Sequence, residues 1–334
     1  MIKSLARSAL SLAAFAILAV IHAGPARAVT FNHTYVSNTG SDGNNCASVA
    51  TACATFATAL HSTSPGGEIT VVNAGNYSAV DILTSVSITN DYAGEAAIVV
   101  TAGLGISVDA GAGDVVSLRG LVIDGQSSGT TGIVINQASA VHIQHCVIRN
   151  FQDSNSANGG NAFGLTMVPS GRSQLFVSDT IIFNNGHVSA TSGILIEPLS
   201  ATGRADVVLY RVHLENNVHG LFVAGFNATG AGAHVIVRDS VISGNVSNGI
   251  YAQTAPAKSP AFLQVERSSM VNNGQSGIRA EGPGATVLLK ESTITRNGTG
   301  VSTVSGGQLI SYGTSTNNNN LGAEGTATGF FAAF

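Results

Sequence analysis

No tryptophan occurs anywhere in this sequence. The chain therefore lacks the ring that many sugar-binding platforms use. Charge is scarce as well: only 10% of the 334 residues are Asp, Glu, Lys or Arg. From Val29 to Leu118 there is no Lys or Arg, against seven acids (Asp42, Glu68, Asp81, Asp91, Glu95, Asp109 and Asp114). A segment of that sign disfavours nucleic acid and anionic membrane as partners. The nine histidines are scattered and show no metal-ligand spacing. No glycine-rich phosphate loop stands ahead of a helical pattern. Beyond the first 28 residues no apolar run is long enough to cross a bilayer as a helix.

What the sequence does have is repetition. One column of like residues reads Leu118, Ile143, Val177, Leu209, Val237, Val265, Leu289, Ser311. A second, five residues on, reads Ile123, Ile148, Ile182, Leu214, Ile242, Met270, Ile294, Thr316. Between them a small-residue column reads Leu121, Cys146, Thr180, Val212, Ser240, Ser268, Ser292, Thr314. Its spacings are 25, 34, 32, 28, 28, 24 and 22, so one structural unit repeats along an axis with variable insertions. Apolar residues alternate with period two, as in Val235-Ile-Val237, which is strand periodicity. Each unit holds two further short strands, the third following a glycine and starting near Ile133, Leu165, Ile194, Leu221, Ile250, Ile278 and Val301. Three strands per repeat predict three parallel sheets wound into a coil, with like inward residues stacked about 4.8 Å apart.

Five residues after the small column stand Asn185, Asn217, Asn245, Asn273, Asn297 and Asn319. The position falls at the bend before the third strand, where asparagine tolerates left-handed geometry and stacked amides bond along the column. With these aliphatic stacks and this ladder the chain resembles the pectin-lyase-like superfamily of right-handed parallel β-helices, over about residues 69 to 321. The resemblance implies an all-β, single-stranded right-handed parallel β-helix of about ten coils. It implies no single activity, because that superfamily includes lyases, hydrolases, epimerases, adhesins and inert spikes.

The ends read differently from the repeats. Lys3 and Arg7, an apolar run from Ala9 to Ala23, and Ala26-Arg-Ala28 form a secretory signal over residues 1–28. Its removal takes away Lys3, Arg7 and Arg27, leaving 11 basic residues against 18 acidic and a net charge of −7. Residues 29–66 resemble the amino-terminal cap of exported members, with Phe56, Ala59 and Leu60 on one face of a short helix. Pro65-Gly-Gly turns the chain into the first strand at Ile69. Residues 67–322 form the β-helix and 323–334 a C-terminal tail or cap. Cys46 and Cys53 form a disulfide on this reading, since an exported chain meets an oxidising compartment, and Cys146 is a buried free thiol.

Two outward columns carry charge: Arg119, Gln144, Ser178, Tyr210, Arg238, Glu266, Lys290, Tyr312, and His145, Asp179, Arg211, Asp239, Arg267, Glu291. Their signs largely alternate, as ion-pair ladders between neighbouring strands require. In sugar-processing relatives the groove tends to lie on the outer face of the first strand of each coil. Here that face reads His142, Phe176, Val208, Ile236, Gln264, Leu288 and Ile310, mostly apolar. At its edge Asp206 and His234 fall on adjacent coils beside loops 198–205 and 224–233, with Tyr210 and Arg238 as substrate-positioning groups; these four are the candidate catalytic residues. Phe222 and Tyr251, on neighbouring coils of the third face, are the candidate sugar-stacking pair. No metal site is expected, although the Asp42-Gly-Asn-Asn turn could hold Ca²⁺. The sequence has no Asp-Asp pair and no Gly-His-Gly, both typical of polygalacturonase-like members.

The expectation is a secreted, periplasmic or surface protein that binds or processes an extracellular or cell-wall polysaccharide, as a lyase or glycoside hydrolase if it is an enzyme. The alternative is a non-catalytic, adhesin-like structural module. Neither nucleic acid nor membrane insertion after signal removal is expected, and the sequence leaves oligomeric state open.

Overall fold

The computed structural model describes residues 30–91, 93–153, 162–188 and 190–331. All described strands and helices lie within Phe31–Phe334. The signal read over residues 1–28 lies outside the described residues.

Period-two patterning produces three parallel sheets, of twelve, ten and nine strands. Each coil passes once through each sheet, so the nine-stranded third sheet sets the number of coils complete in all three. Ile148, Ile182, Leu214, Ile242, Met270 and Ile294 pair coil to coil in unbroken register and are fully buried, one inward stack as the repeat requires. The stack drives folding because each aliphatic side chain leaves water against its own counterpart above and below.

The asparagine ladder is buried, and its bonds repeat from coil to coil. The Asn217 backbone N–H and side-chain amide both donate to Asn245 Oδ1, at 3.0 and 3.3 Å. Asn245 donates likewise to Asn273, and Asn273 to Asn297. Each amide also reaches back to an aliphatic carbonyl, as Asn245 Nδ2 does to Leu214 O at 3.1 Å. The left-handed residue, however, is the one before each rung: Asn184, Asn216, Gly244, Asn272 and Arg296 have φ of 58°, 53°, 65°, 58° and 58°. The ladder residues are therefore selected for amide bonding, and their neighbours turn the corner.

The last repeat is offset by one residue from the sequence alignment. Thr293 pairs with Thr316 and Ile294 with Asn317, and the Ser292 N–H donates to Ser315 Oγ. The terminal rung is thus Asn320, which accepts from Asn297 at 2.9 and 3.0 Å, while Asn319 takes the left-handed bend at φ 56°. One extra residue lies between Ser311 and Ser315, and no aliphatic side chain there penalises the slip.

At the other end a strand that the sequence reading missed, Phe31–Val36, joins the first sheet against Thr63–Val71. Pro65-Gly-Gly is an irregularity inside that second strand, not a turn ahead of it: Phe31 faces Thr63 but His33 faces Glu68. The helix Phe56–Ser62, capped by the Thr55 hydroxyl, buries Phe56 and Ala59. Cys46 and Cys53 are disulfide-bonded with Cα atoms 5.0 Å apart. The Asp42 carboxylate accepts from the backbone of Ala54 and Thr55 and from the Thr55 hydroxyl, so the turn proposed for Ca²⁺ uses its acid to cap that segment. Cys146 is buried, and burial pushes its thiol up to about 11.

Candidate functional site

On the first sheet, strands Arg172–Ser178, Arg204–Tyr210, Gly232–Arg238 and Ala261–Glu266 lie side by side. Register places Gln174, Asp206, His234 and Phe262 in one outward row, and Phe176, Val208, Ile236 and Gln264 in the next. Gln174, Phe176, Asp206, Val208, His234 and Ile236 line a shallow cavity of about 150 Å³. Alternate residues of a strand share a face, so the polar row and the apolar row meet along the cavity floor.

Asp206 is the anion of this cavity. Arg204 Nη2 donates to it at 2.8 Å and Arg172 Nε at 3.1 Å. Burial pushes the Asp206 carboxyl up, but the two guanidiniums outweigh burial and hold it below the usual carboxylate range. Asp206 is therefore ionised at neutral pH and weakly basic, which suits it to orient its arginines better than to transfer protons. His234, exposed on the adjacent coil, has its ring 5.7 Å from that of Phe262. His142 and Phe176 stack at 4.8 Å with planes 10° apart, a flat surface continuing the cavity.

Of the four candidate catalytic residues the fold brings two together. Asp206 and His234 are register partners. Tyr210 and Arg238 stand four residues further along the same strands, about 13 Å away by strand rise. Tyr210 has the Arg211 guanidinium 4.1 Å from its ring centroid, and Arg238 is paired with Glu266 at 2.7 Å. The groups missed in the sequence are Arg172 and Arg204, which face each other in register. Arg204 was legible, being two residues before Asp206 and so on its face. Arg172 was legible on the same ground, being two residues before Gln174 and so on its face. The strands Arg204–Tyr210 and Gly232–Arg238 likewise absorb the ends of the two loops expected beside the site.

On the third sheet Phe222 and Tyr251 stack at 4.8 Å with planes 8° apart. Phe222 is only 6% exposed and packs with Phe163, Leu195 and Ala224, so it holds the outer layer together and offers no free face to a sugar. Tyr251 is half-buried and donates its hydroxyl proton to Glu281 at 2.8 Å; burial and the Glu281 charge raise its pKa. Beside them burial raises the Glu197 carboxyl, with an Asn227 hydrogen bond opposing it. A carboxyl that titrates higher folded than unfolded stabilises the protein below the unfolded value, and that contribution is lost as pH rises through the folded one. Glu197→Gln is accordingly expected to raise the melting temperature at pH 7 by about 2 °C, with the gain vanishing towards pH 4. Thermal melts of both proteins across pH 4–8 check this.

The charged corner is an ion-pair ladder. Arg211 pairs with Asp179 at 2.6 Å and Arg267 with Asp239 at 2.8 Å, from residues with φ between 44° and 51°. These side chains satisfy one another and form no pocket residue of the cavity above. Among the described residues no group of three or more His, Cys, Asp or Glu is gathered as a metal site.

No protein-family model matches the chain, and no curated protein matches it. Among solved structures it is similar to the pectate lyase Pel9A, with a TM-score of 0.58 at 14% identity over 92% of this chain and 80% of that one. Weaker likenesses are to A-modules of the Azotobacter vinelandii mannuronan C-5 epimerases AlgE6 and AlgE4. Their TM-scores are 0.46 and 0.44, both at 14% identity, covering 77% and 80% of this chain and 83% and 91% of theirs. The likeness to Pel9A is one of fold, a parallel β-helix.

Proposed function

We propose that this is an exported β-helix protein that binds an extracellular or cell-wall polysaccharide along the outer face of its first sheet. The observation that carries the reading is the cavity where Asp206, its two arginines and His234 meet the Phe176 edge of the His142–Phe176 stack. Flat rings beside directional donors suit a sugar, which presents an apolar ring face and a rim of hydroxyls. A repeating ligand also suits a face built of repeating coils. The pectate lyase of the same fold acts on a polysaccharide, which supports the ligand class by analogy. The signal read over residues 1–28 supports a secreted, periplasmic or cell-surface location.

Binding without bond cleavage is the better supported version. Glycoside hydrolysis ordinarily uses two carboxyl groups, and this cavity is lined by one, committed to two arginines. Any proton transfer would fall to His234. A glycan array run beside a polysaccharide degradation screen tests the proposal. Phe176→Ala is expected to weaken binding at least about tenfold, the loss of one stacking contact and its buried area. His234→Ala is expected to weaken binding about threefold or more by removing a lining donor, and should abolish turnover if chemistry occurs. Retention of no glycan by the parent protein would favour the adhesin-like structural alternative. Thermal stability of each variant is the control.

A further inference from the structure

The last coil differs from those before it in charge. From Asn297 to the C-terminus the sequence carries one charged residue, Glu324, and its last proline is Pro283. Glu324 is exposed. Its carboxylate accepts from the Asn320 side-chain amide and backbone N–H, which closes the asparagine ladder. Strands Thr316–Asn318 and Gly329–Phe330 are the terminal strands of the second and first sheets. On the third sheet the carbonyls of Ala323 and Glu324 already take the amides of Gly300 and Val301. Leu321, Phe330 and Phe331 are 85%, 73% and 48% exposed. A cavity of about 320 Å³ opens among Leu309, Val301, Ala327 and Phe330 into the end of the core. Sheet edges are ordinarily blunted by lysine, proline or a cover, and these two edges have none of the first two.

We infer that this end is a self-association surface, on which two copies meet tail to tail with their terminal strands pairing antiparallel across a two-fold axis. The inference goes beyond the glycan reading and does not depend on it. A two-fold axis lays a surface on its own copy, so any net charge on it repels itself; a nearly chargeless face on an acidic chain is the one that escapes this cost. The opposite end cannot take that place. It is plugged by the helix Phe56–Ser62 and belongs to the segment with seven acids and no base. Growth therefore stops at two copies and does not run on head to tail. A contact confined to the end of one coil falls at the lower end for a specific interface, so the dimer is weak, with a Kd on the order of micromolar.

Sedimentation of the purified protein from about 1 to 500 µM, without glycan, reads this directly. A monomer–dimer equilibrium is expected. Leu321→Lys combined with Phe330→Lys should raise the Kd at least about tenfold, because four added charges face one another across the axis. Val246→Lys, at a site 71% exposed midway along the solenoid, should leave the Kd unchanged. Both changes fall on exposed side chains, and unaltered thermal melts confirm folding. A protein that stays monomeric throughout, a dimer indifferent to the two lysines, or growth beyond two copies overturns the inference.

Discussion

Asn245→Ala is expected to lower unfolding stability by about 3 kcal/mol, read as an earlier urea midpoint with an unchanged slope. The side chain is 1% exposed and serves three neighbours at once. Its oxygen accepts from the backbone and side-chain amides of Asn217, and its amide donates to Asn273 Oδ1 at 2.8 Å and to Leu214 O at 3.1 Å. Truncation leaves the Asn217 N–H and the Leu214 carbonyl buried without their side-chain partner, and each such group costs about 1–3 kcal/mol. The lost bonds also belong to a polarised chain running through Asn185, Asn217, Asn273 and Asn297, so the effect exceeds that of an isolated pair. Asn216→Gly, one residue from a rung, should by contrast stay within about 0.5 kcal/mol, since φ there is 53° and glycine already holds the equivalent corner at Gly244. Equal losses in the two variants would mean that the bend, and not the amide row, is what the asparagines supply. Glycan binding should be untouched by either, because the ladder is inside the coil.

Gly220→Ala is expected to cost at least as much, about 3 kcal/mol or more, and to leave little folded protein at 37 °C. A Cβ at Gly220 would stand 2.6 Å from the Gly249 carbonyl oxygen, 2.6 Å from Ile242 Cγ2 and 3.0 Å from Asn245 Nδ2. Two of those three atoms cannot yield: one is backbone of the next strand and one is a rung of the ladder. Gly164 and Gly277 meet the same pair of neighbours one or more coils away, Ile182 with Asn185 and Ile294 with Asn297. The glycine column is therefore the space that lets the ladder lie against the aliphatic stack. Far-ultraviolet circular dichroism and thermal melts decide the matter. A Gly220→Ala protein with native stability would show that the third sheet shifts outward at little cost.

The glycine column was visible in the sequence only as a spacer before each third strand; its packing role required the ladder and the stack to be placed beside it. The aliphatic columns were fully legible, because a residue inside a coil meets its own homologue in the next coil. Identity along the sequence then equals contact in space. The same logic located the ladder from Asn185 to Asn297. It failed at Asn319, where Ser311 and Asn317 replace the aliphatic residues whose burial fixes register elsewhere.

On the outside that equivalence breaks down. Asp206 had Arg172, Arg204 and His234 within reach, and the sequence could not rank them. The two guanidiniums take the carboxylate because charge-assisted bonds are strong in a partly buried cleft. Phe222 could equally have been a platform or a packing residue, until the neighbouring Phe163 and Leu195 closed over it. The sequence by itself determined the coil, since inward residues have one partner each and water drives them to it. Only the tertiary structure decided the chemistry of the surface, since outward side chains have several partners and small differences in distance and burial choose among them.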